Sequence, residues 1–97
     1  MKLIQLEASK YGAVLLRNNV GVLQDKRGHY LRYGLGTGSA DLIGWYKGRF
    51  LAVECKIGTG KLTPEQENFL DQVNLAGGIG ICARCVQDVV DKLSKTA

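Results

Sequence analysis

The chain has 97 residues, 45% hydrophobic and 23% charged, which is the composition of one soluble globular domain and excludes a disordered or collagen-like chain. Its 13 Lys and Arg against 9 Asp and Glu give a net charge of +4, which favours an anionic partner, nucleic acid before a membrane surface. No apolar run reaches the roughly 18 to 20 residues of a membrane helix, and the early Glu7 argues against a secretory signal. We therefore expect a single intracellular, cytoplasmic domain over residues 1–97 that does not bind a membrane.

The first predicted element is a helix. Apolar residues recur at three- and four-residue spacing over residues 3–17, which is typical of an amphipathic helix. One stripe of this helix, with one residue per turn, consists of Leu3, Glu7, Tyr11 and Leu15. Glu7 would then lie amid apolar side chains, where a buried carboxylate needs a cation.

Four strands follow in two predicted hairpins. The first hairpin pairs residues 20–23 with residues 30–33 around a polar turn, and a glycine-rich loop comes after it. The second hairpin pairs residues 41–46 with residues 49–57. Only Lys47-Gly48 separates its strands, which is short enough for a tight antiparallel turn.

The C-terminal part predicts a helix, a strand and a closing helix. Thr63 can cap the helix, Pro64 fits its first position, and Gln66 stands where a capping box needs it. The helix runs to a glycine pair, and a strand over residues 79–83 and a helix over residues 86–93 follow. The predicted order is α-β-β-β-β-α-β-α, an α/β (α+β) domain with a mixed β-sheet flanked by helices.

The register of the second hairpin brings two acidic residues together. If Tyr46 pairs with Arg49, Asp41 stands directly opposite Glu54, with Cβ atoms about 4.5 to 5.5 Å apart. Carboxylates this close repel unless one is protonated or a divalent cation lies between them. Strand alternation puts Lys56 on the face of Glu54. This set of oxygens suits Mg²⁺ or Mn²⁺, and the lysine could orient or deprotonate a water that attacks a phosphodiester.

Asp41 followed by Glu54-Cys55-Lys56 resembles the PD-(D/E)XK nuclease signature, with Ser39-Ala40 where proline is usual before the aspartate. The likeness extends over nearly the whole chain to the virus-type replication-repair nuclease (VRR-NUC) domain. It implies a restriction-endonuclease-like core. The residues that carry the wider resemblance are Glu7, Arg17-Asn18-Asn19, residues 38–44, Glu54-Cys55-Lys56, Pro64-Glu65-Gln66 and Gly77-Gly78.

The resemblance also implies roles for individual residues. It implies that Lys56 serves the hydrolytic water and that Gln66 joins the site from the start of the central helix. The catalytic residues expected from it are Asp41, Glu54, Lys56, Glu7 and Gln66. The expected ligands of Mg²⁺ or Mn²⁺ are Asp41, Glu54, Glu7 and the backbone carbonyl of Cys55.

Stand-alone members of this family, many from phages, form homodimers that cut branched DNA such as Holliday junctions or flaps. The resemblance therefore implies a metal-dependent, structure-selective DNA endonuclease, in the host cytoplasm if a phage encodes it. Two alternatives stay open: a catalytically inactive DNA-binding dimer with the nuclease fold, and the nuclease subunit of a restriction or recombination complex.

Cations and aromatic residues alternate on the first hairpin, which suits contact with a DNA backbone and stacking on bases. An ordinary solvated hairpin has a similar composition, so this interpretation also has an alternative. The candidate DNA-binding residues are Lys26, Arg27, Tyr30, Arg32, Ser39 and Lys61.

Other residues also allow a second interpretation. The Asp41, Glu54 and Lys56 set could be a cross-strand ion-pair network, and Glu7 could extend to solvent. Gln66 has a sufficient structural role in the capping box. The glycine-rich loop lacks the spacing of a nucleotide-binding loop. Three cysteines do not form an even disulfide framework, and Cys82-x-x-Cys85 is half of a zinc motif or, as we expect, a pair of buried strand cysteines.

Overall fold

The computed structural model describes residues 1–19, 21–33, 36 and 38–96. For residues 21–23 and 31–33 it describes the backbone alone. Within these residues the chain forms three helices and six strands, an α+β fold. The elements are α1 (Lys2–Lys10), β1 (Val14–Arg17), β2 (Gly21–Gln24), β3 (Tyr30–Tyr33), β4 (Leu42–Tyr46), β5 (Arg49–Cys55), α2 (Pro64–Leu75), β6 (Ile79–Ala83) and α3 (Val86–Lys95).

Four strands form one mixed sheet in the order β1-β4-β5-β6. The first three run antiparallel to their neighbours, while β5 and β6 are parallel and are joined through α2. The β4–β5 register runs from Tyr46 opposite Arg49 to Leu42 opposite Val53, which confirms the predicted register, although the ladder ends before the predicted pair of Asp41 and Glu54. Strands β2 and β3 form a separate antiparallel hairpin.

The sheet has one face under α1 and α3 and the other partly under α2, and each face has its own core. On the α1–α3 face, the larger core consists of Ile4, Ala8, Ala13, Leu15, Leu42, Tyr46, Leu51, Val53, Ile79, Ile81, Ala83, Val89 and Leu93. On the α2 face, the smaller core consists of Ala40, Ala52 and Leu70. α2 packs against β5 and β6, so it covers only the β5–β6 half of this face of the sheet.

The prediction of one helix over residues 3–17 is wrong. α1 ends at Lys10, Gly12 takes a φ of +84°, and the chain then forms β1. Leu15 pairs with Gly44 of β4, where a Cβ atom would collide with the carbonyl oxygen of Val14. The close pairing of these strands therefore requires glycine at position 44, and it adds a strand to the predicted order.

The apolar stripe predicted on the first helix does not form either. α1 buries Ile4 and Ala8, whereas Leu3 and Tyr11 are exposed. Since Leu15 belongs to a strand, Glu7 does not lie amid apolar side chains of one helical face. The argument that its position requires a cation is therefore wrong.

The remaining boundaries differ by a few residues. β5 ends at Cys55 instead of Ile57, which is exposed, and α3 extends to Lys95. β4 begins one residue after Asp41. The predicted strand over residues 20–23 is β2 at Gly21–Gln24, and residue 20 lies outside the described residues. None of the helices described is both long and apolar enough to cross a membrane.

Candidate metal centre

Two carboxylates lie at the end of the β4–β5 ladder that is opposite its turn. Asp41 directly precedes β4, and Glu54 is the last residue but one of β5. The Oδ2 atom of Asp41 accepts a hydrogen bond of 2.9 Å from the backbone N–H of Cys55. The aspartate side chain thus satisfies a donor just beyond the last ladder pair, which fixes it beside β5.

Glu54 is the only charged side chain that is buried among the described residues, at 3% exposure. Its Oε1 atom accepts a hydrogen bond of 3.1 Å from Nε2 of Gln66 and lies 3.8 Å from Nζ of Lys56. Its Oε2 atom is buried without a hydrogen-bond partner in the part of the chain that the structure describes. A buried carboxylate oxygen without a donor is costly while the group is ionised, and the cost falls when Glu54 carries a proton that it shares with Asp41 or when a cation lies beside it.

The environment of Glu54 favours its neutral form in the absence of a cation. Burial, followed by repulsion from Asp41, raises the pKa of Glu54 from an ordinary 4.5 to about 7, and the positive charge of Lys56 opposes this rise. A divalent cation between the two carboxylates would reverse the effect, since it would favour both ionised forms. The two carboxylates are therefore close enough for Asp41 to disfavour the ionised form of Glu54.

Gln66 forms the predicted capping box and also contacts Glu54. Its Oε1 atom accepts from the backbone N–H of Thr63 at 2.9 Å, and the Thr63 hydroxyl accepts from the backbone of Gln66 at 3.2 Å, which is the predicted capping box. Because the amide oxygen is held there, the Nε2 donor is turned toward Glu54. The N-terminal cap of α2 thus orients the amide that holds one oxygen of Glu54.

Asn18 joins the chain after β1 to the loop before β4. Its backbone N–H donates to the carbonyl of Asp41 at 2.8 Å, and Nδ2 donates to Ser39 Oγ at 2.8 Å and to the carbonyl of Ala40 at 2.9 Å. Apart from the family resemblance, no sequence pattern indicates that Asn18 belongs to the site. The feature that could have indicated it is a side-chain amide directly after a strand, which can bond to two partners.

The loop before Asp41 also packs against the first turn of α2. A Cβ atom at Gly38 would lie 2.7 Å from Cβ of Glu65, so the loop reaches the helix only because this residue is glycine. The Ser39 hydroxyl donates to the carbonyl of Gly36 at 2.7 Å besides accepting from Asn18. Ser39 therefore stabilises the loop, and its contact with DNA stays a prediction.

Glu7 is placed on α1 with its side chain one-third exposed. Its Oε1 atom lies 2.8 Å from Nζ of Lys10, an ion pair that raises the pKa of Lys10 through the hydrogen bond. Among the residues that the structure describes, no three His, Cys, Asp or Glu side chains gather as a metal cluster. The metal-ligand role of Glu7 stays a prediction from the family resemblance.

Cys55 and Lys56 lie beside the two carboxylates. The side chain of Cys55 packs against the larger core, and burial raises the pKa of its thiol. The backbone N–H of Lys56 donates to the carbonyl of Ala83 at 3.0 Å, which ties the chain beyond β5 to β6. The ligand role of the Cys55 carbonyl stays a prediction.

Apart from Ser39, the predicted DNA-binding residues occupy two places. Lys26, Arg27 and Tyr30 are exposed on the β2–β3 hairpin, whereas the side chain of Arg32 lies outside the described part. Lys61 is exposed after β5 and lines an open groove between α2 and β6. The groove is lined by Lys61, Leu62, Glu67, Asp71, Cys82 and Arg84.

The groove lies beside the carboxylate pair because Cys82 is the ladder partner of Glu54. Arg84, which the sequence analysis missed, donates through Nη1 to the carbonyl of Gly58 at 2.9 Å and so fixes the loop after β5. The expected pair of buried strand cysteines is wrong for Cys85, which is exposed beyond the end of β6.

A scan against models of protein families finds none that matches the chain, and a search among curated proteins finds no match either. Membership of the VRR-NUC family therefore remains a proposal. Its support is the set of residues quoted above and the carboxylate geometry at the end of β5.

Proposed function

We propose that the chain is a Mg²⁺- or Mn²⁺-dependent DNA endonuclease with a PD-(D/E)XK core, of the VRR-NUC kind, that hydrolyses phosphodiester bonds in branched DNA such as Holliday junctions or flaps. The observation that carries the proposal is the buried carboxylate of Glu54. One of its oxygens is held by Gln66, while the other has no partner among the described residues. Asp41 provides a second carboxylate next to it.

The residues of this site fit a hard divalent cation. Two carboxylates, one with an unpaired buried oxygen, are the ligands that Mg²⁺ and Mn²⁺ prefer. We assign Asp41 and Glu54 as the side chains that would hold the ion, with Glu7 and the backbone carbonyl of Cys55 as further ligands implied by the resemblance. When bound, a divalent cation offsets the charge that develops on the phosphate and lowers the pKa of a nearby water.

The chain's own residues would then have three tasks. Asp41 is fixed by the Cys55 N–H, and Glu54 by the Gln66 amide, so both carboxylates are oriented before substrate arrives. Lys56 lies on the same side as Glu54 and is largely shielded from solvent, with 18% of its side chain exposed. Its ammonium group would orient the attacking water and add a positive charge beside the scissile phosphate.

Homodimerisation is part of the proposal. The half of the α2 face that α2 leaves open carries Leu16 and Trp45, each 53% exposed, and Phe50 at 42%. Ladder pairing places Phe50 beside Trp45, which makes the exposed apolar side chains neighbours instead of isolated ones. In sedimentation experiments Trp45→Glu should convert a dimer to monomers, whereas Ile57→Glu, at an exposed apolar residue outside that face, should not. Sedimentation of the wild-type protein as a monomer would exclude homodimerisation.

The nuclease proposal is tested by incubating the purified protein with Mn²⁺ or Mg²⁺ and linear, flapped and four-way DNA. We expect cleavage near the branch point, abolished by a chelator. Asp41→Asn should reduce cleavage by on the order of 10³-fold or more, because stabilisation of the phosphate charge by the ion amounts to several kcal/mol. The matched control is Asp91→Asn, an equal change on the exposed face of α3, which should leave the rate unchanged.

Other outcomes assign the alternatives. Binding to branched DNA without cleavage under any metal would favour an inactive DNA-binding dimer. Cleavage of linear sites alone would favour a restriction-type subunit. Activity that persists in Asp41→Asn would exclude the carboxylate pair as the catalytic centre.

A further inference from the structure

A basic hairpin emerges from the sheet immediately beside the carboxylate pair. We define the basic arm as the described residues between 18 and 40, which contain the β2–β3 hairpin. Its two ends are tied together, since Nδ2 of Asn18 donates to Ser39 Oγ and to the Ala40 carbonyl. The backbone N–H of Asn18 also donates to the carbonyl of Asp41. The base of the arm is therefore fixed at the residue that we assign as a metal ligand.

The described strands of the arm pair with each other and not with the main sheet. The molecule has extents of 49 × 27 × 26 Å. Such a two-stranded ribbon is marginal in water by itself, so contacts with a partner would stabilise it.

The charges at the tip are unbalanced in favour of cations. Lys26 and Arg27 are both exposed, and neither has an ion-pair partner among the described residues. Tyr30, at 73% exposure, presents its ring on the same turn region. The arm thus offers two free cations and an exposed aromatic ring.

The single acidic residue of the arm is used to build the tip. Oδ1 of Asp25 accepts backbone hydrogen bonds from Arg27 at 2.9 Å and from His29 at 2.8 Å. Its Oδ2 atom lies 3.6 Å from Nδ1 of His29. The backbone N–H of Asp25 closes the turn by donating to the His29 carbonyl at 2.8 Å. The tip is therefore held in one shape that projects Lys26 and Arg27 outward.

We propose that the basic arm binds the phosphate backbone of double-helical DNA flanking the scissile bond, with its preformed tip inserted along a groove. The position next to the scissile bond rests on the proposed nuclease function, whereas binding to DNA does not. A two-stranded ribbon fits the major groove, and lysine and arginine contact phosphates. A chain of eight residues spans at most about 29 Å. At about 3.4 Å per base pair, the tip can lie at most about eight base pairs from the site.

The first test measures duplex binding by fluorescence anisotropy at several salt concentrations, in chelator so that no cleavage occurs. The double variant Lys26→Gln, Arg27→Gln should lower the affinity and reduce the slope of log affinity against log salt by about 2, since each phosphate contact contributes about 0.9. The matched control, Lys92→Gln with Lys95→Gln, removes equal charge from α3 on the other side of the sheet. It should leave the slope unchanged, and equal losses in both double variants would overturn the proposal.

The second test separates shape from charge at one residue. Asp25→Asn keeps an oxygen that can accept the two backbone N–H groups but removes the negative charge, so binding should be equal or tighter. Asp25→Ala also removes the negative charge yet loses the acceptor, and we expect binding several-fold weaker than for Asp25→Asn. Equal or tighter binding by Asp25→Ala would overturn the role of the preformed tip.

These binding measurements do not depend on cleavage. If wild-type protein cuts no DNA but the arm variants still lose affinity, the nuclease proposal fails and the arm stands as a DNA-binding element. If cleavage is observed but the arm variants bind and cut like wild type, the arm proposal fails alone.

Discussion

The two faces of the main sheet differ in what they bury. The α1–α3 face buries only apolar side chains and the Tyr46 ring, and helices cover it. The α2 face has a three-residue core and carries Glu54, the one buried charge among the described residues. Leu51 and Glu54 lie on the same strand and, because they are three residues apart, point to opposite faces of the sheet.

This difference indicates a division of labour within one sheet. The apolar face provides the burial that holds a small domain together. The other face can therefore accommodate a buried carboxylate that costs stability until a cation binds it. The predictions below test whether stability and activity can be changed separately on the two faces.

The largest effect on stability is expected from Leu51→Ala. The side chain is fully buried on the α1–α3 face, and its truncation should lower the free energy of unfolding by about 3 to 4 kcal/mol through lost burial and a residual cavity. Urea denaturation measures this change. Leu75→Ala, at an exposed position at the end of α2 and outside the proposed dimer face, is the control and should cost much less. Activity per folded molecule should be retained in Leu51→Ala, and a specific loss would contradict the separation of the two faces.

The second prediction concerns pH and the metal-free protein. Because burial and Asp41 raise the pKa of Glu54 from 4.5 to about 7, the folded state binds a proton more tightly than the unfolded state. The contribution of Glu54 to stability is therefore fully present below about pH 4.5 and is lost as the pH rises through about 7. At about 1.4 kcal/mol per pKa unit, the loss is on the order of 3 kcal/mol.

Glu54→Gln should remove most of this pH dependence and make the metal-free protein more stable at neutral pH, while it abolishes cleavage. Denaturant titrations across this pH range, with and without Mn²⁺, measure both effects. Mn²⁺ should stabilise the wild type and not Glu54→Gln. The stability of the metal-free wild type could instead rise between pH 5 and 7 as steeply as that of the variant. That result would contradict the claim that ionised Glu54 costs stability at neutral pH.

The third prediction concerns the donor to Glu54. Gln66→Leu removes the Nε2 group that holds one oxygen of the carboxylate, together with the Oε1 atom that accepts from the backbone of Thr63. Cleavage should fall by about 10- to 100-fold, as for other groups that orient metal ligands. The metal concentration at half-maximal activity should rise as well, which a purely structural loss would not produce. An unchanged metal dependence would limit Gln66 to its capping role.

The elements that the sequence predicts well have local determinants. Thr63, Pro64 and Gln66 define the start of α2 by themselves, and a two-residue turn sets the β4–β5 register. β1 was missed because Val14, Leu15 and Leu16 form an apolar run that continues a helical pattern as readily as it forms a strand. Whether these residues form a strand or a helix depends on pairing with Gly44, which lies about thirty residues away in the chain.

The same distinction applies to the site. The meeting of Asp41 and Glu54 follows from the hairpin register, so it could be predicted. The Asn18 contacts with Ser39 and Ala40 span more than twenty residues and depend on the path of the arm between them. Burial of Glu54 depends on how α2 lies over β5, which no local pattern specifies. Long-range packing therefore determines the electrostatics of the site, while the turns determine its location.

The smallest effect is expected from Thr63→Ala, which separates the two functions of the α2 cap. The hydroxyl that accepts from the Gln66 backbone is lost, and the free energy of unfolding should fall by about 1 kcal/mol. The backbone N–H of residue 63 remains, so it can still hold Oε1 of Gln66 and keep Nε2 turned toward Glu54. Cleavage measured well below the melting temperature should therefore stay near the wild-type rate. A loss as large as that of Gln66→Leu would mean that the position of the whole helix end, and not the single amide, controls the carboxylate.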